Sequence, residues 1–523
     1  MSATDANAIL AAEVLAVLRA AGVRTLVVCP GGRNAPLVAA ADAARGSFEV
    51  LNFFEERSAA FFALGRIRRD EAPAAVITTS GTAAAEMLPA MLEAVHAGWP
   101  LVAVTADRPR RLRGTGAPQT IDQLPIFAAC GIPVVDADTP GQITSLPPGA
   151  VHLNVCFDEP LSAEPVVLSP SRTGVPQSPV PWMTGQIARR HWEDFFGRVR
   201  NPLVIVSSLT EAEARTVEPW LASLSSPLYL EAVSQLRHHR NLQEFSLHSG
   251  ERILSVPECR AACDGILRIG GVPTPRFWRD LEEDPRPVLH VARTAFPGLA
   301  RQAPVLPIRF FPEFAEVVPP GGDNKALFAR DRRIAAATVA LLAAEPHSEA
   351  ALVRATAEKF AADARLLLGN SLAIREWDLA APRSASARTF YANRGVNGID
   401  GLVSGALGLA GAERPAAALI GDLSALYDLA GLWIAPQLDA ADITIAVLNN
   451  GGGQIFRRMF GRSAFLNAHS LRLRGWADMF GWHYGQMRTP AEPWPTEGPR
   501  IVEILPDTEA GERFAEGYAA LWR

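Results

Sequence analysis

The sequence predicts an α/β protein of three domains, each built on parallel strands flanked by helices. Three observations carry that prediction. Over the first 160 residues short apolar runs alternate with helical spacing, and the runs recur about every 25–30 residues, the pattern of βαβ units. The same alternation returns in the middle third and again beyond about residue 335. The chain has 523 residues, which at roughly 150 per domain fits about three.

The elements follow in order. "AAEVLAVLRAAG" has helical apolar spacing with a glycine stop, and "TLVVC" is a short buried strand. "PGGRNAP" is a loop, "LVAAADAA" a helix, "FEVLNFF" a strand and "EERSAAFFALGRIRR" a helix. "AAVITT", "SGT", "AAAEMLPAMLEAVHAG" and "PLVAVTA" give strand, tight turn, helix and strand. A first domain over 1–165 follows. The Pro/Ser-rich stretch "AEPVVLSPSRTGVPQSPVPW" (163–182) lacks apolar periodicity, so a linker is expected over 166–190. "PLVIVSS", "PLYLEA", "GILRIGG" and "PVLHVA" make a central domain over 191–325, closed by "VVPPGGDNK". An alanine-rich helical region then leads into "LLLGNS", "AALIGDLSALYDLAGL", "ITIAVLNNGGGQIF" and "RIVEIL", a third α/β domain over 335–523. No short-period repeat is present.

Composition narrows the function. Hydrophobic residues make up 48% and charged residues 20%, the balance of a globular protein with large cores. No apolar run reaches the ~18–20 residues that span a bilayer, and the N-terminus shows no basic n-region or cleavage site. A cytoplasmic location is expected. The five cysteines are scattered without metal or redox spacing. A net charge of −5 gives no general attraction to nucleic acid or anionic membrane. Only two lysines occur, Lys325 and Lys359, and no Gly-Lys-Ser/Thr exists, which excludes a Walker A loop. Almost all the positive charge is arginine, whose planar fork suits bidentate carboxylate binding.

The strongest constellation pairs "GDLS" (421–424) with "LNN" (448–450). Each follows an apolar strand, and Asp422 and Asn450 are 28 positions apart, the separation of neighbouring strand ends across a βαβ crossover. Open α/β sheets bind ligands at that edge. Two side-chain oxygens and a backbone carbonyl suit Mg²⁺, which takes few carboxylates beside phosphate oxygens. A Gly-Asp followed roughly 25–30 residues later by Asn-Asn resembles the diphosphate-binding motif of thiamine diphosphate enzymes. Those enzymes also need a glutamate beside the cofactor's aminopyrimidine ring, and "NFFEERSAAFFALG" (52–65) offers Glu55 and Glu56, of which Glu56 is taken.

Further motifs occur in order: "CPGGRNAPL" (29–37), "TTSGTAAAEMLPAMLEA" (78–94), "TADRPRRLRGTGAPQTIDQ" (105–123), "GNSLAIRE" (369–376) and "NRGVNGIDGLVSGALG" (393–408). With "GDLSALYDLAGL" and "NNGGGQIF" they resemble the MenD family, the 2-succinyl-5-enolpyruvyl-6-hydroxy-3-cyclohexene-1-carboxylate synthases of menaquinone biosynthesis. The resemblance spans essentially the whole chain and is weakest over 165–345. It implies a pyrimidine-binding, a central and a diphosphate-binding domain. It implies decarboxylation of 2-oxoglutarate and 1,4-addition of the resulting succinic semialdehyde carbanion to isochorismate. It implies thiamine diphosphate with Mg²⁺, or Mn²⁺, as cofactors, and a homodimer or dimer of dimers with active sites at the subunit interface.

By motif, the resemblance makes Glu56 the catalytic residue. It assigns cofactor contacts to Ser80, Gly81, Ile399, Gly421, Asp422, Leu423, Ser424, Asn450, Gln454 and Ile455, and the metal to Asp422, Asn450 and the Gly452 carbonyl. Substrate contacts fall on Arg33, Arg108, Gln119, Arg276, Ser371, Arg375 and Arg394, with Ile455, Phe456 and Met459 as walls. The chain departs from the family pattern at Gly32, where serine is usual, at Pro118, often asparagine, and at Pro275, commonly lysine. An acetolactate-synthase-like carboligase usually carries "GDG" in place of "GDLS" and lacks "NRG--GIDG". A non-catalytic nucleotide-binding protein calls for a G-x-G-x-x-G turn after the first strand, which "PGGRNAP" does not supply.

Overall fold

In a computed structural model of the chain, eighteen strands among the described residues form three six-stranded sheets, and every strand pairing among them is parallel. The structure describes residues 3–162, 164, 181–250, 252–383, 386–439 and 442–523. Most of the expected linker therefore lies outside the described residues, and helix Gly185–Phe196, capped by the Thr184 side chain, begins inside its C-terminal end. Among the described residues no helix is long and apolar enough to cross a membrane.

The chain divides into two units. The first holds residues 1–180, 400–411 and 427–439. Its sheet comprises β1 (Thr25–Val28), β2 (Glu49–Asn52), β3 (Ala74–Thr78), β4 (Leu101–Asp107), β5 (Val134–Ala137) and β6 (Val151–Cys156), in the order β2-β1-β3-β4-β6-β5. β1, β3, β4 and β6 are buried along their whole length, as expected where helices cover both faces. The strand expected over "FEVLNFF" is shorter, Glu49–Asn52, and the helix expected over "AAAEMLPAMLEAVHAG" is two helices, Thr82–Glu86 and Leu88–Ala97, divided at Met87. Pro89 explains the division: it has no N–H to continue the first helix but fits the first turn of a second.

The second unit holds residues 181–399, 412–426 and 440–523 and carries two sheets. One comprises β7 (Pro202–Val206), β8 (Leu228–Leu230), β9 (Ser246–Leu247), β10 (Gly265–Ile269), β11 (Val288–Ala292) and β12 (Val305–Pro307), in the order β12-β11-β10-β7-β8-β9. The other comprises β13 (Arg365–Leu368), β14 (Thr389–Tyr391), β15 (Ala416–Gly421), β16 (Ile443–Leu448), β17 (His483–Met487) and β18 (Arg500–Ile504), in the order β14-β13-β15-β16-β18-β17. Counted within each sheet, the first and third share the order 2-1-3-4-6-5, while the middle one reads 3-2-1-4-5-6. The order reverses between β1 and β3, between β7 and β10, and between β13 and β15. Crevices for ligands form at such reversals, outside the carboxyl ends of the strands.

Within the first unit, helix Glu56–Asp70 crosses helix Leu402–Gly408 at close range. A Cβ on Gly65 would collide with the Gly405 carbonyl, and one on Gly408 with the Phe62 carbonyl. Only glycine permits that approach. Arg66 seals the crossing by donating to the carbonyls of Gly408 and Ala410, both at 2.7 Å. Asp428 ties the same elements at their other end, accepting from Ser58 Oγ at 3.0 Å, Ser404 Oγ at 2.8 Å and the Ser404 amide at 2.7 Å.

Candidate active site

A cavity of about 350 Å³ opens at the carboxyl edge of the third sheet. The turns after four strands build it: Asn370 and Ser371 after β13, Arg394 and Ile399 after β14, Gly421 to Ser424 after β15, and Asn450 and Gly452 to Phe456 after β16. Arg375 joins them from helix Leu372–Ala380. The cavity thus brings together Ser371, Arg375, Arg394, Ile399, Gly421, Asp422, Leu423, Ser424, Asn450, Gly452, Gln454, Ile455 and Phe456 of the residues named from sequence.

Asp422 begins helix Asp422–Tyr427, and its carboxylate is buried. Oδ1 accepts from the Leu423 amide at 2.7 Å, while Oδ2 accepts from the amides of Gly451 at 2.9 Å and Gly452 at 2.8 Å. His469 Nε2 approaches Oδ2 to 3.4 Å. Burial pushes this carboxyl above the ordinary range, against the pull of the amides. The two Asn of the "NN" pair divide the work. Asn449 is structural: its amide donates to Leu471 O at 2.9 Å and to the buried Glu503 carboxylate. Asn450 donates through Nδ2 to Glu349 Oε2 at 2.9 Å, and its Oδ1 is buried without a hydrogen-bond partner. The bond to Glu349 fixes which end of the amide is oxygen. Gly452 has φ +129°, and a Cβ there would collide with Leu466 O, so the loop closes only with glycine.

An orphaned amide oxygen, a buried carboxylate and the Gly452 carbonyl line one cavity, a hard-oxygen donor set that fits a magnesium-bound diphosphate. Gly452 O already accepts from the Gln454 amide at 2.8 Å, which leaves a carbonyl its second lone pair. Cationic groups line the same cavity. Arg375 donates to Ser371 O at 2.5 Å and Thr274 O at 3.3 Å; Arg394 donates to Asn370 Oδ1 at 3.0 Å and Pro273 O at 3.4 Å. Ser371 sits at φ +69°, a strained conformation for a serine that costs about 1–3 kcal/mol and concentrates at functional sites.

Arg276 and Met459 are outside this lining. Arg276 is exposed and its guanidinium meets Met459 Sδ at 3.3 Å, so these two named residues touch each other.

The remaining named residues belong to the first unit. Glu55 caps helix Glu56–Asp70, accepting from the amides of Arg57 at 3.1 Å and Ser58 at 2.9 Å. That leaves Glu56, the next residue, half-buried at the first helical position. Its carboxyl is raised, first by burial and then by Glu55 and Glu86. Gly81 donates its amide to Gln123 Oε1 at 2.9 Å, and Ser80 Oγ is buried without a partner. Arg33 is buried, donating to Phe157 O at 3.0 Å and Glu159 Oε1 at 3.1 Å. Arg108 donates to Pro118 O at 2.8 Å, and Gln119 follows at φ +54°.

Sequence reasoning missed Glu349, Gln123 and the 272–274 turn. A glutamate after a serine cap reads as a helix-dipole partner, and Ser348 is that cap. Gln123 lies in a quoted motif, but only the fold shows it bonded to Gly81, Thr105 and Asn154. The 272–274 turn belongs to the middle sheet, and its motif "VPTPRFW" points to Arg276 rather than to the turn itself.

Comparison with known proteins agrees with this geometry. Residues 10–126 match the family model of the thiamine pyrophosphate enzyme N-terminal TPP binding domain. The chain is 39% identical to the 2-succinyl-5-enolpyruvyl-6-hydroxy-3-cyclohexene-1-carboxylate synthase of Bdellovibrio bacteriovorus over 99% of both chains. It is 37% identical to the synthase of that name from Akkermansia muciniphila, over 94% of this chain and 95% of the relative. With the one from Chloroflexus aurantiacus it shares 34%, over 85% and 82%. The chain belongs to the 2-succinyl-5-enolpyruvyl-6-hydroxy-3-cyclohexene-1-carboxylate synthase family of thiamine diphosphate enzymes.

Proposed function

We propose that this chain decarboxylates 2-oxoglutarate and adds the remaining four-carbon fragment to isochorismate, giving 2-succinyl-5-enolpyruvyl-6-hydroxy-3-cyclohexene-1-carboxylate and CO₂. The observation that carries the reading is one cavity lined by both the Asp422–Asn450 oxygen set and Arg375 and Arg394. Thiamine diphosphate, when bound, supplies the electron sink for both bond changes. Asp422, Asn450 Oδ1 and the Gly452 carbonyl would hold Mg²⁺ or Mn²⁺, whose charge would do for the diphosphate what lysine does in other phosphate loops. Ser424 donates to the diphosphate. Ile399 and Ile455 present apolar surface to the cofactor. Arg375, Arg394 and Ser371 bind a substrate carboxylate, and Phe456 closes the cavity against water.

Glu56 holds the proton on the aminopyrimidine side. Its raised carboxyl supports that role, and the capping duty of Glu55 leaves it free for it. Ser80 and Gly81 contact the pyrimidine half, and Arg33, Arg108, Gln119 and Arg276 contact isochorismate. We read 1–165 as the pyrimidine-binding domain, 191–325 as the central one and 335–523 as the diphosphate-binding one. The active unit is a dimer or dimer of dimers, cytoplasmic, with its site shared between subunits. Exposed apolar side chains support an interface on each unit. Phe54, Tyr427, Leu429 and Trp433 are exposed in the unit of Glu56, and Phe456, Met459, Phe460 and Phe465 in the unit of the cavity.

The test is product formation. Enzyme with thiamine diphosphate, Mg²⁺, 2-oxoglutarate and isochorismate should yield the conjugate by mass spectrometry, and omission of any one should abolish it. A product formed equally well with pyruvate in place of 2-oxoglutarate would contradict the donor.

A further inference from the structure

The middle sheet has its own order reversal, between β7 and β10, but there the loops close on one another. The Gly271 amide donates to Ser208 O and the Leu209 amide to Val233 O, both at 3.1 Å. A fully buried carboxylate stands at this point: Glu231, directly after β8. Its Oε1 accepts from the Thr274 amide at 2.6 Å, and the Ser207 hydroxyl also bears on the carboxylate. Burial, helped by Asp378 and opposed by Arg394, raises this carboxyl to about 7.

The turn it holds leaves the middle sheet and lines the cavity of the third through Val272, Pro273 and Thr274. The Pro273 carbonyl accepts from Arg394, and the Thr274 carbonyl from Arg375. Each guanidinium is thereby held between the two sheets, with Asn370 or Ser371 on its other side. The next residue repeats the tie, because the Ala232 amide donates at 2.9 Å to Asp378 on the helix of Arg375. The guanidiniums of Arg394 and Arg268 offset the charge of this buried carboxylate, and its hydrogen bond to the Thr274 amide is the contact that bears on the turn.

We propose that Glu231 is a positioning residue for the donor-substrate pocket: by holding the Thr274 amide it fixes the turn whose carbonyls aim Arg375 and Arg394. This rests on the reading of the cavity as the 2-oxoglutarate site. The donor is the substrate concerned because it must reach the cofactor loops that line the same cavity.

The test is steady-state kinetics of holoenzyme at saturating isochorismate, with Glu231→Ala and Glu231→Gln. Glu231→Ala should raise KM for 2-oxoglutarate by about tenfold with kcat within about threefold, the pattern of weakened carboxylate binding by roughly one charged hydrogen bond. Glu231→Gln keeps an oxygen for the Thr274 amide and should return KM to within about threefold of wild type. A KM for Glu231→Ala within about twofold of wild type, or equal impairment in the two variants, overturns the proposal. A loss confined to kcat also overturns it, because it signals a smaller folded fraction. If Glu231→Ala does not fold, Glu231→Asp, one methylene shorter, is expected to give the same rise, and its absence counts against Glu231. Failure of wild-type enzyme to turn over 2-oxoglutarate is a separate result that refutes the function and is read from the wild type alone.

Discussion

Adjacent residues of like type perform unlike work in this chain. Glu55 caps a helix while Glu56 keeps a raised, half-buried carboxyl; Asn449 fastens a loop while Asn450 leaves an oxygen unpaired. The motifs point to Glu56 and Asn450 of these pairs, and their surroundings differ from their neighbours' because consecutive residues on a turn point to different sides. Arg33 carries the opposite lesson. Its motif was legible, but its guanidinium also holds Phe157 O and Glu159, contacts 124 and 126 positions away that no local pattern reveals. At this scale Glu56→Gln is the direct probe. It should lower kcat by about 10²–10⁴-fold, the range of a lost proton-transfer group. Thiamine diphosphate affinity by calorimetry should stay within about threefold, since binding energy resides with the diphosphate loops. Normal turnover would remove Glu56 from the chemistry.

The helix that presents Glu56 is positioned by its packing. Its glycine crossing with helix Leu402–Gly408 and the Asp428 bridge between Ser58 and Ser404 both come from residues more than 300 positions away. Hydrophobic periodicity predicted the helix of Glu56 and could not predict what it meets. Asp428 gives this packing a pH signature. Burial raises its carboxyl to about 6, against the pull of Ser404, Ser58 and Arg57. The folded protein therefore binds more protons than the unfolded chain between pH about 4 and 6. Stability from this group is full below that window and falls as pH rises through it, by up to about 3 kcal/mol. Chemical denaturation across pH 4–7 should show that fall in wild type and a flatter profile in Asp428→Asn. Parallel profiles would contradict the assignment.

Over the whole molecule, the α/β class and the parallel sheets were legible because buried strands alternate with amphipathic helices at βαβ spacing. Strand order was not. That the first and third sheets share one order and the middle sheet another is set by contacts across the chain, and no sequence repeat betrays it. The same limit hid the 272–274 turn, a middle-sheet segment that completes a third-sheet cavity. An active site shared between subunits predicts complementation. Glu56→Gln and Asp422→Ala should each be nearly inactive, and random mixing after subunit exchange should restore about a quarter of wild-type activity, one intact site in half the dimers. No recovery, with exchange verified by mass, would place both residues in one subunit's site.

The central claim is that the cavity joins 2-oxoglutarate to isochorismate. The measurement that tests it most directly is CO₂ release from 2-oxoglutarate by the thiamine diphosphate and Mg²⁺ holoenzyme, with and without isochorismate. The account predicts release that depends on isochorismate and matches its consumption mole for mole. Release at the same rate without isochorismate, or only with a different acceptor, would contradict it.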